Sequence, residues 1–532
     1  MKKSNHLPPK SEMQNLEHLF KQNNLVLLEK KIRALILSYS KVPVLYNILG
    51  VVLQKKKKLN EAISSFTKAI SLNSNFDQAY NNLGNVLEET GKFEEAIKNY
   101  KKTIEINPNY GPAFSNLGNV LSELGRSQEA LINQKQSVEL EPNNPEFNNH
   151  LGNSLKDLGK HEEAILSYKK AIKLNNNYAE AYSNLGNVLD ELGNLEEAIS
   201  NYQYAIKLNP QYKKANLNES LVWLKLEKFD VGWKKYEMRL GEGTNIEIKY
   251  PKTKMWDGKY LDGTLLVWGE QGLGDHIIFA SMLLDLTQHA KNIVLEIDER
   301  LENLLKRYFE EKNVLNIKIY NDKKTLAGTF DKHIPIGSLG QYLRKSTKSF
   351  ENTPKKFLVP SSKREKDLKI KLSENNKLKI GISWRTLNKK QKFRNIDLKL
   401  MDPIFSNTNC EFIDLQFGEF KSDLQYLRSE KKVNIKSINE IDNYNNIDEL
   451  ASLINCLDLV ITIQNTTAHL AGALGKKTWL MLAKNARWHW FRSKEKSIWY
   501  PSIKIFRQEE IGNWNTIINN ISMELKYLKK HK

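Results

Sequence analysis

The sequence predicts an α-solenoid followed by an α/β part made of two facing Rossmann-like domains, and three observations carry this expectation. Gly50, Gly84, Gly118, Gly152 and Gly186 stand 34 residues apart, and Ser220 continues the phase. From about residue 262 the pattern changes to short apolar strands alternating with helices, as in βαβ units. All ten tryptophans lie at or beyond Trp223, which marks the change of architecture. The expected boundaries are 11–240 for the solenoid, 262–360 and 378–510 for the two α/β halves, and 511–532 for a C-terminal helix.

A period of 34 residues is the tetratricopeptide signature, two antiparallel helices per repeat. Other positions keep the step. Ala62, Ala96, Ala130, Ala164 and Ala198, then Gly232, fall where one helix crosses close to its neighbour. Gly91, Gly125, Gly159 and Gly193 are expected to make the turns within repeats, and Pro108, Pro142 and Pro210 to stop second helices. Residues 11–45 read as a degenerate first unit. The unit from Leu217 to Leu240, which brings in Trp223, Trp233 and Tyr236, reads as a cap that docks onto the next domain.

The first helix of each pair is expected to line the concave face. Asn85, Asn119, Asn153 and Asn187 then form a ladder, with Asn82, Asn116 and Asn184 one turn away and His150 interrupting the second row. Carboxamides donate and accept hydrogen bonds, so the ladder suits the backbone of an extended polypeptide. The ladder resembles the asparagine-lined repeats of protein O-GlcNAc transferases; the same residues also occur in generic repeats of this kind.

In the α/β part, Thr264–Trp268, Ile293–Ile297 and Leu315–Ile319 read as strands, with another ending near Phe330–Ser338. The lysine-rich span 361–377 reads as a linker. Strands are expected again at Leu378–Trp384, Cys410–Gln416, Leu457–Ile463 and Lys477–Leu482. Two turns stand out: Trp268-Gly-Glu-Gln-Gly-Leu-Gly-Asp275, where glycines bring a carboxylate to the mouth of a helix, and Gln464-Asn-Thr-Thr467, whose helix offers free amides and a positive dipole end to a diphosphate.

These turns, together with Gly381-Ile-Ser-Trp-Arg385 and Arg394, Leu415-Gln416, Ala468-His-Leu-Ala-Gly-Ala-Leu-Gly475, and Trp499-Tyr-Pro-Ser with Phe506-Arg-Gln508, resemble the C-terminal domain of tetratricopeptide-linked glycosyltransferases. That domain is similar to bacterial ADP-heptose heptosyltransferases, so the resemblance implies the GT-B arrangement. It implies transfer of a hexosyl or heptosyl group from a nucleotide sugar to an acceptor hydroxyl on a protein or a glycan. It also implies Asp275 as general base, helix capping being the alternative for the same aspartate. His469 would neutralise the leaving nucleotide. Gly272, Gly274, Trp384, Arg394, Gln416, Asn465, Thr466 and Thr467 would contact the donor, and Asn85, Asn119, Asn153 and Asn187 a protein acceptor. Relatives carry Asp-Thr where this chain has Gln464 and Asn465, a departure consistent with a changed donor or with a catalytically inactive scaffold.

Composition bounds the rest. The net charge of +19 is spread along the chain without interleaved aromatic and basic clusters, which argues against nucleic acid as a partner. Cys410 and Cys456 lack metal-ligand spacing, and no Asp-X-Asp metal motif stands in a suitable place, so no metal or cofactor is expected beyond the nucleotide sugar as co-substrate. No apolar run has the length of a membrane span or the character of a signal peptide, and a cytoplasmic location is expected, with protein partners on the repeats.

Overall fold

The computed structural model describes residues 7–528 except 243, 245, 321–328, 374, 387–393, 419, 432, 434, 493 and 494. Helices run in pairs from Lys10–Lys21 and Leu25–Ser38 to Lys213–Lys225 and Phe229–Tyr236. They form an α-solenoid of tetratricopeptide repeats. The turn inside each pair carries one residue of positive φ at a fixed phase: Asn23, Lys57, Gly91, Gly125, Gly159, Gly193 and Glu227. Glycine takes this left-handed conformation at little cost. At the four glycines a Cβ would meet nothing within 4 Å, so backbone conformation alone selects the residue there.

The other glycine row has a different cause. A Cβ on Gly84 would lie 2.5 Å from Tyr100 Cε1; on Gly152, 2.6 Å from Tyr168 Cε1; on Gly118, 2.5 Å from Gln134 Nε2. The missing side chain is the seat for a residue of the second helix, 16 positions later. Ala62, Ala96, Ala130, Ala164 and Ala198 are fully buried where helices cross.

The chain divides into two compact units, Met1–Val188 and Leu189–Lys532. The division falls inside the repeats. In the second unit, Leu224, Phe229, Trp233 and Tyr236 of the last helix pair share one apolar core with the α/β elements. Trp233 Nε1 donates to the Arg344 carbonyl at 2.8 Å, and its ring fills the space that a Cβ on Gly340 would need.

Two parallel sheets complete the second unit. The first has strands β1 (Leu261–Trp268), β2 (Ala290–Glu296), β3 (Ile317–Ile319) and β4 (Lys332–Pro335) in the order β3-β2-β1-β4. The second has β5 (Leu378–Ser383), β6 (Cys410–Asp414), β7 (Ile435–Lys436), β8 (Leu459–Ile463), β9 (Thr478–Leu482) and β10 (Ile503–Arg507) in the order β10-β9-β8-β5-β6-β7. In each sheet the chain starts in the middle and reverses direction once, between β1 and β4 and between β5 and β8. Ligands of open α/β sheets bind outside the carboxyl ends of strands at such a reversal.

The span 361–377 is not a linker throughout. Ser362–Leu372 is a helix capped by Ser361 Oγ, which accepts from Arg364 N at 3.4 Å, and it buries Leu368 and Leu372. Two leucines one turn apart among lysines anchor it by a stripe too thin to read from sequence. The last helix is Asn515–Tyr527. Among the described residues, no helix is long and apolar enough to cross a membrane.

Candidate active site where two strand-to-helix turns meet

The turn after β1 runs Gly269-Glu-Gln-Gly272 into the helix Leu273–Ala280. Glu270 is buried. It accepts from Gly337 N at 3.0 Å, in the turn after β4, and from the guanidinium of Arg239, which is itself buried at the end of the repeats. The side chain of Glu270 therefore occupies the reversal point of the first sheet. Gln271 adopts φ of 63°, unusual for a residue with a Cβ, and its Nε2 donates to Tyr236 Oη at 3.0 Å. Arg239, Tyr236, Glu270 and Gln271 thus hold the loop from the side of the last repeat.

Asp275 sits in the first turn of that helix and is half-buried. Its Oδ2 accepts from Gly272 N at a long 3.4 Å, so capping engages the carboxylate weakly. Desolvation raises its pKa above the usual aspartate value, against the lowering influence of Arg487 and the Gly272 amide. A raised carboxylate pKa moves the group toward general-base duty near neutral pH.

The second turn, after β8, opens the helix Thr466–Ala473. Asn465 is its cap: Oδ1 accepts from Ala468 N at 3.3 Å and from Thr462 Oγ1 at 3.1 Å, while Nδ2 donates to Ser383 Oγ at 2.7 Å and to the Arg385 carbonyl at 3.3 Å. The Asn465 side chain, which the sequence places among the donor contacts, ties β8 to β5. Gln464 Oε1 accepts from Arg487 N at 3.3 Å. Thr466 is half-buried at the helix mouth and Thr467 is buried.

The two turns touch. A Cβ on Gly274 would lie 3.1 Å from His469 Cδ2, which explains a glycine there and brings Asp275 to the helix that carries His469. His469 Nδ1 pairs with Tyr500 Oη at 2.9 Å, and its ring packs against His489 and Trp490. Desolvation and Arg487 push its pKa down to about 3. The imidazole is therefore neutral at physiological pH and brings a hydrogen bond, not the positive charge expected from sequence. That charge resides on Arg487, an exposed side chain in the loop after β9 whose field acts on Asp275, His469, His489 and Arg394. Sequence reasoning missed Arg487 because a lone arginine in a loop carries no spacing signal. Arg394 is buried, and desolvation followed by Arg487 lowers its pKa.

Trp384 and Gln416 build the framework. Gln416 Oε1 accepts from Ser383 Oγ, Trp384 N and Arg385 N at 3.2, 3.0 and 2.9 Å. The Trp384 ring is fully buried, with Nε1 donating to Asp423 Oδ2 at 3.2 Å. Gln416 also borders a cleft of about 1130 Å³ along the carboxyl ends of β6 and β7.

In the repeats, three of the asparagine oxygens already accept hydrogen bonds within the solenoid. Asn85 Oδ1 accepts from Tyr100 Oη and Asn116 Nδ2, both at 2.9 Å; Asn119 Oδ1 accepts from Gln134 Nε2 at 2.9 Å; Asn153 Oδ1 accepts from Tyr168 Oη at 2.7 Å. Asn85 Oδ1 thus has both lone pairs engaged, whereas Asn119 and Asn153 each keep one acceptor position. In each case a partner lies on the second helix, 15 residues later. Asn187 is half-buried at the same phase.

Comparison with known proteins fits the N-terminal part. Sequence profiles of the tetratricopeptide repeat match residues 50–91, 78–110, 99–132, 152–193 and 179–212. Protein FlbA of Caulobacter vibrioides is 27% identical over 325 residues, which is 58% of this chain and 54% of that protein. The chain thus matches about half the length of that curated relative. Since 58% of 532 residues is about 309, the likeness extends beyond residue 240. Among solved structures, YrrB, described as a TPR protein with an unusual peptide-binding site, is 26% identical, covering 35% of this chain and 95% of its own, with a TM-score of 0.29. MamA is 28% identical, covering 29% and 91%, with a TM-score of 0.27. A thermophilic TPR protein of Thermus thermophilus is 22% identical, covering 34% and 100%, with a TM-score of 0.31.

Proposed function

We propose that this chain is a glycosyltransferase fused to protein-binding tetratricopeptide repeats, moving a sugar from a nucleotide-sugar donor to an acceptor hydroxyl. The observation that carries the reading is the contact of Gly274 with His469, by which turns at the carboxyl ends of two parallel sheets bring Asp275 toward a helix N-terminus and Arg487. The second sheet has the strand order 3-2-1-4-5-6 of doubly wound nucleotide-binding folds, which supports a Rossmann-like half there.

In this reading Asp275 takes the proton of the acceptor hydroxyl as its oxygen attacks the anomeric carbon. The bond from that carbon to the phosphate oxygen breaks, and the nucleoside diphosphate leaves with the bonding pair. Arg487 and the amides at Thr466 and Thr467 balance the growing negative charge, and neutral His469 supplies a hydrogen bond. The acceptor is a polypeptide whose carbonyls meet the amide donors of Asn85, Asn119, Asn153 and Asn187, or a glycan, in which case the repeats serve assembly.

A second reading, a catalytically inactive scaffold, is favoured by Asn465, whose side chain is occupied within the protein where relatives carry threonine. A thermal-stability screen against nucleotide sugars tests the proposal. A donor at 100 times its Kd stabilises the native state by about 2.7 kcal/mol, and absence of any shift across the common nucleotide sugars contradicts the donor site.

A further inference from the structure

The helix Leu25–Ser38, second of the first pair, differs at its surface from the second helices that follow. Its cap, Asn24, stands 34 residues before Lys58, the cap of Leu59–Leu72, so positions correspond from repeat to repeat. Leu27 stands where the next five second helices carry Glu61, Glu95, Glu129, Glu163 and Glu197, and Leu37 where they carry Ser71, Glu105, Glu139, Lys173 and Lys207. Val26 likewise has polar counterparts, from Asn60 to Glu196. These three apolar side chains are 39% (Leu27), 81% (Leu37) and 71% (Val26) exposed. A glutamate in the first turn gains from the positive end of the helix dipole, and Leu25–Ser38 has no acidic residue there. The helix forgoes that charge and leaves apolar surface in water, where a terminal repeat ordinarily turns a polar face outward.

Beside this surface lies a groove of about 660 Å³ between Leu25–Ser38 and Leu59–Leu72, with Tyr46 and Leu49 of the helix Pro43–Lys55 at its floor. Lys30, Arg33, Ala34 and Leu37 line one wall at the spacing of a single helix face, and Val26 and Leu27 continue the stripe by one turn. The stripe is apolar at both ends and cationic between, over about 17 Å. Lys68 lines the other wall. Arg33 is engaged by Glu29 and Glu61, whereas among the described residues Lys30 and Lys68 form no ion pair and no acidic side chain lines the groove. The groove is separate from the asparagine ladder. In Pro43–Lys55 the ladder phase falls on Ile48 and Val51, roughly half a helical turn from Tyr46 and Leu49.

Charge selects the occupant. A second copy placed about a two-fold axis would set the same cationic patch against itself. A bilayer offers a broad surface and not a ridge to fill a groove. An acidic helix with one apolar face meets both features, because apolar anchors fill the groove while carboxylates reach the unpaired lysines and the open helix N-terminus. We propose that this groove docks an acidic amphipathic helix of a partner protein, with its apolar side chains against Leu37 and Tyr46 and its carboxylates toward Lys30 and Lys68. The site recruits a partner away from the ladder, and it stands whether or not the α/β part is an enzyme.

The test is fluorescence anisotropy of the full chain with labelled helical peptides of about 16 residues, long enough to span the stripe. One peptide carries leucine at i, i+3, i+4 and i+7 with glutamate around it; a second has lysine for glutamate, and a third alanine for leucine. The first alone binds, and more weakly as salt rises from about 0.05 M to about 0.5 M. Leu27→Glu with Leu37→Ser, which restores the residues of other repeats, weakens it roughly ten-fold or more. Lys30→Glu with Lys68→Glu does the same, and thermal melting checks both folds. If the leucine pair fails to fold, the lysine pair decides. Absence of binding by the acidic peptide, equal binding by the lysine peptide, or unchanged affinity in the folded variants overturns the proposal. So does a native dimer in sedimentation that Leu37→Ser dissociates, which makes the occupant a second copy. Binding to phosphatidylserine vesicles that the same variants abolish, without peptide binding, overturns it in favour of a membrane.

Discussion

Arg239, at the end of the helical repeats, donates through Nε to both carboxylate oxygens of Glu270, at 3.2 and 3.1 Å, and both side chains are buried. The pair joins the last repeat to the loop that leads to Asp275. Breaking a buried pair leaves one uncompensated charge and costs about 3–5 kcal/mol, whereas replacing both partners with apolar groups of similar volume is far milder. Arg239→Met should therefore destabilise the unit Leu189–Lys532 by that amount in urea unfolding. Arg239→Met with Glu270→Met should recover much of the loss; equal destabilisation by single and double variants contradicts the role given to the pair.

The two glycine rows should respond differently to substitution. Gly84→Ala places a methyl group against the buried Tyr100 ring and should cost about 1–3 kcal/mol. Gly91→Asn keeps a residue type that tolerates the left-handed region, in open space, and should cost less than about 1 kcal/mol. Denaturation midpoints of the two variants measure the contrast, and the reverse order contradicts it.

This contrast also bears on what the sequence made legible. The period of 34 exposed the repeats because Gly84, Gly118 and Gly152 must admit a side chain and Gly91, Gly125 and Gly159 must turn. The same turn at Asn23, Lys57 and Glu227 was hidden, since residues with side chains take the left-handed conformation there. Asp275 and Thr466–His469 could be found because glycines and a helix start mark them. Arg239–Glu270 and Arg487 could not, because pairing across the fold leaves no spacing in the chain. Strands β7 and β10 were not anticipated; β7 has only two residues, and Lys504 interrupts the apolar pattern of β10.

Acid should weaken the second unit through His469. Its folded pKa is about 3, below the value near 6.5 of an unfolded histidine, so the unfolded chain binds the extra proton. Stability tied to this group is complete above pH 6.5 and is lost as pH falls toward 3. Asp414, raised to about 6, acts in the opposite sense between its unfolded value and that pH, so the comparison must isolate the histidine. Between pH 7 and pH 5, His469→Gln should lose about 2 kcal/mol less stability than the native chain in urea unfolding. Identical losses contradict burial of a neutral imidazole.

Steady-state transfer from the donor found in the stability screen, measured for the native chain and for Asp275→Asn, tests the central claim most directly. The account predicts turnover by the native chain and a fall of roughly 10²–10⁴ in the variant, with donor affinity and melting temperature nearly unchanged. Native-level turnover in Asp275→Asn would reduce the aspartate to a helix cap, and donor binding without turnover in the native chain would contradict the enzyme and leave the scaffold.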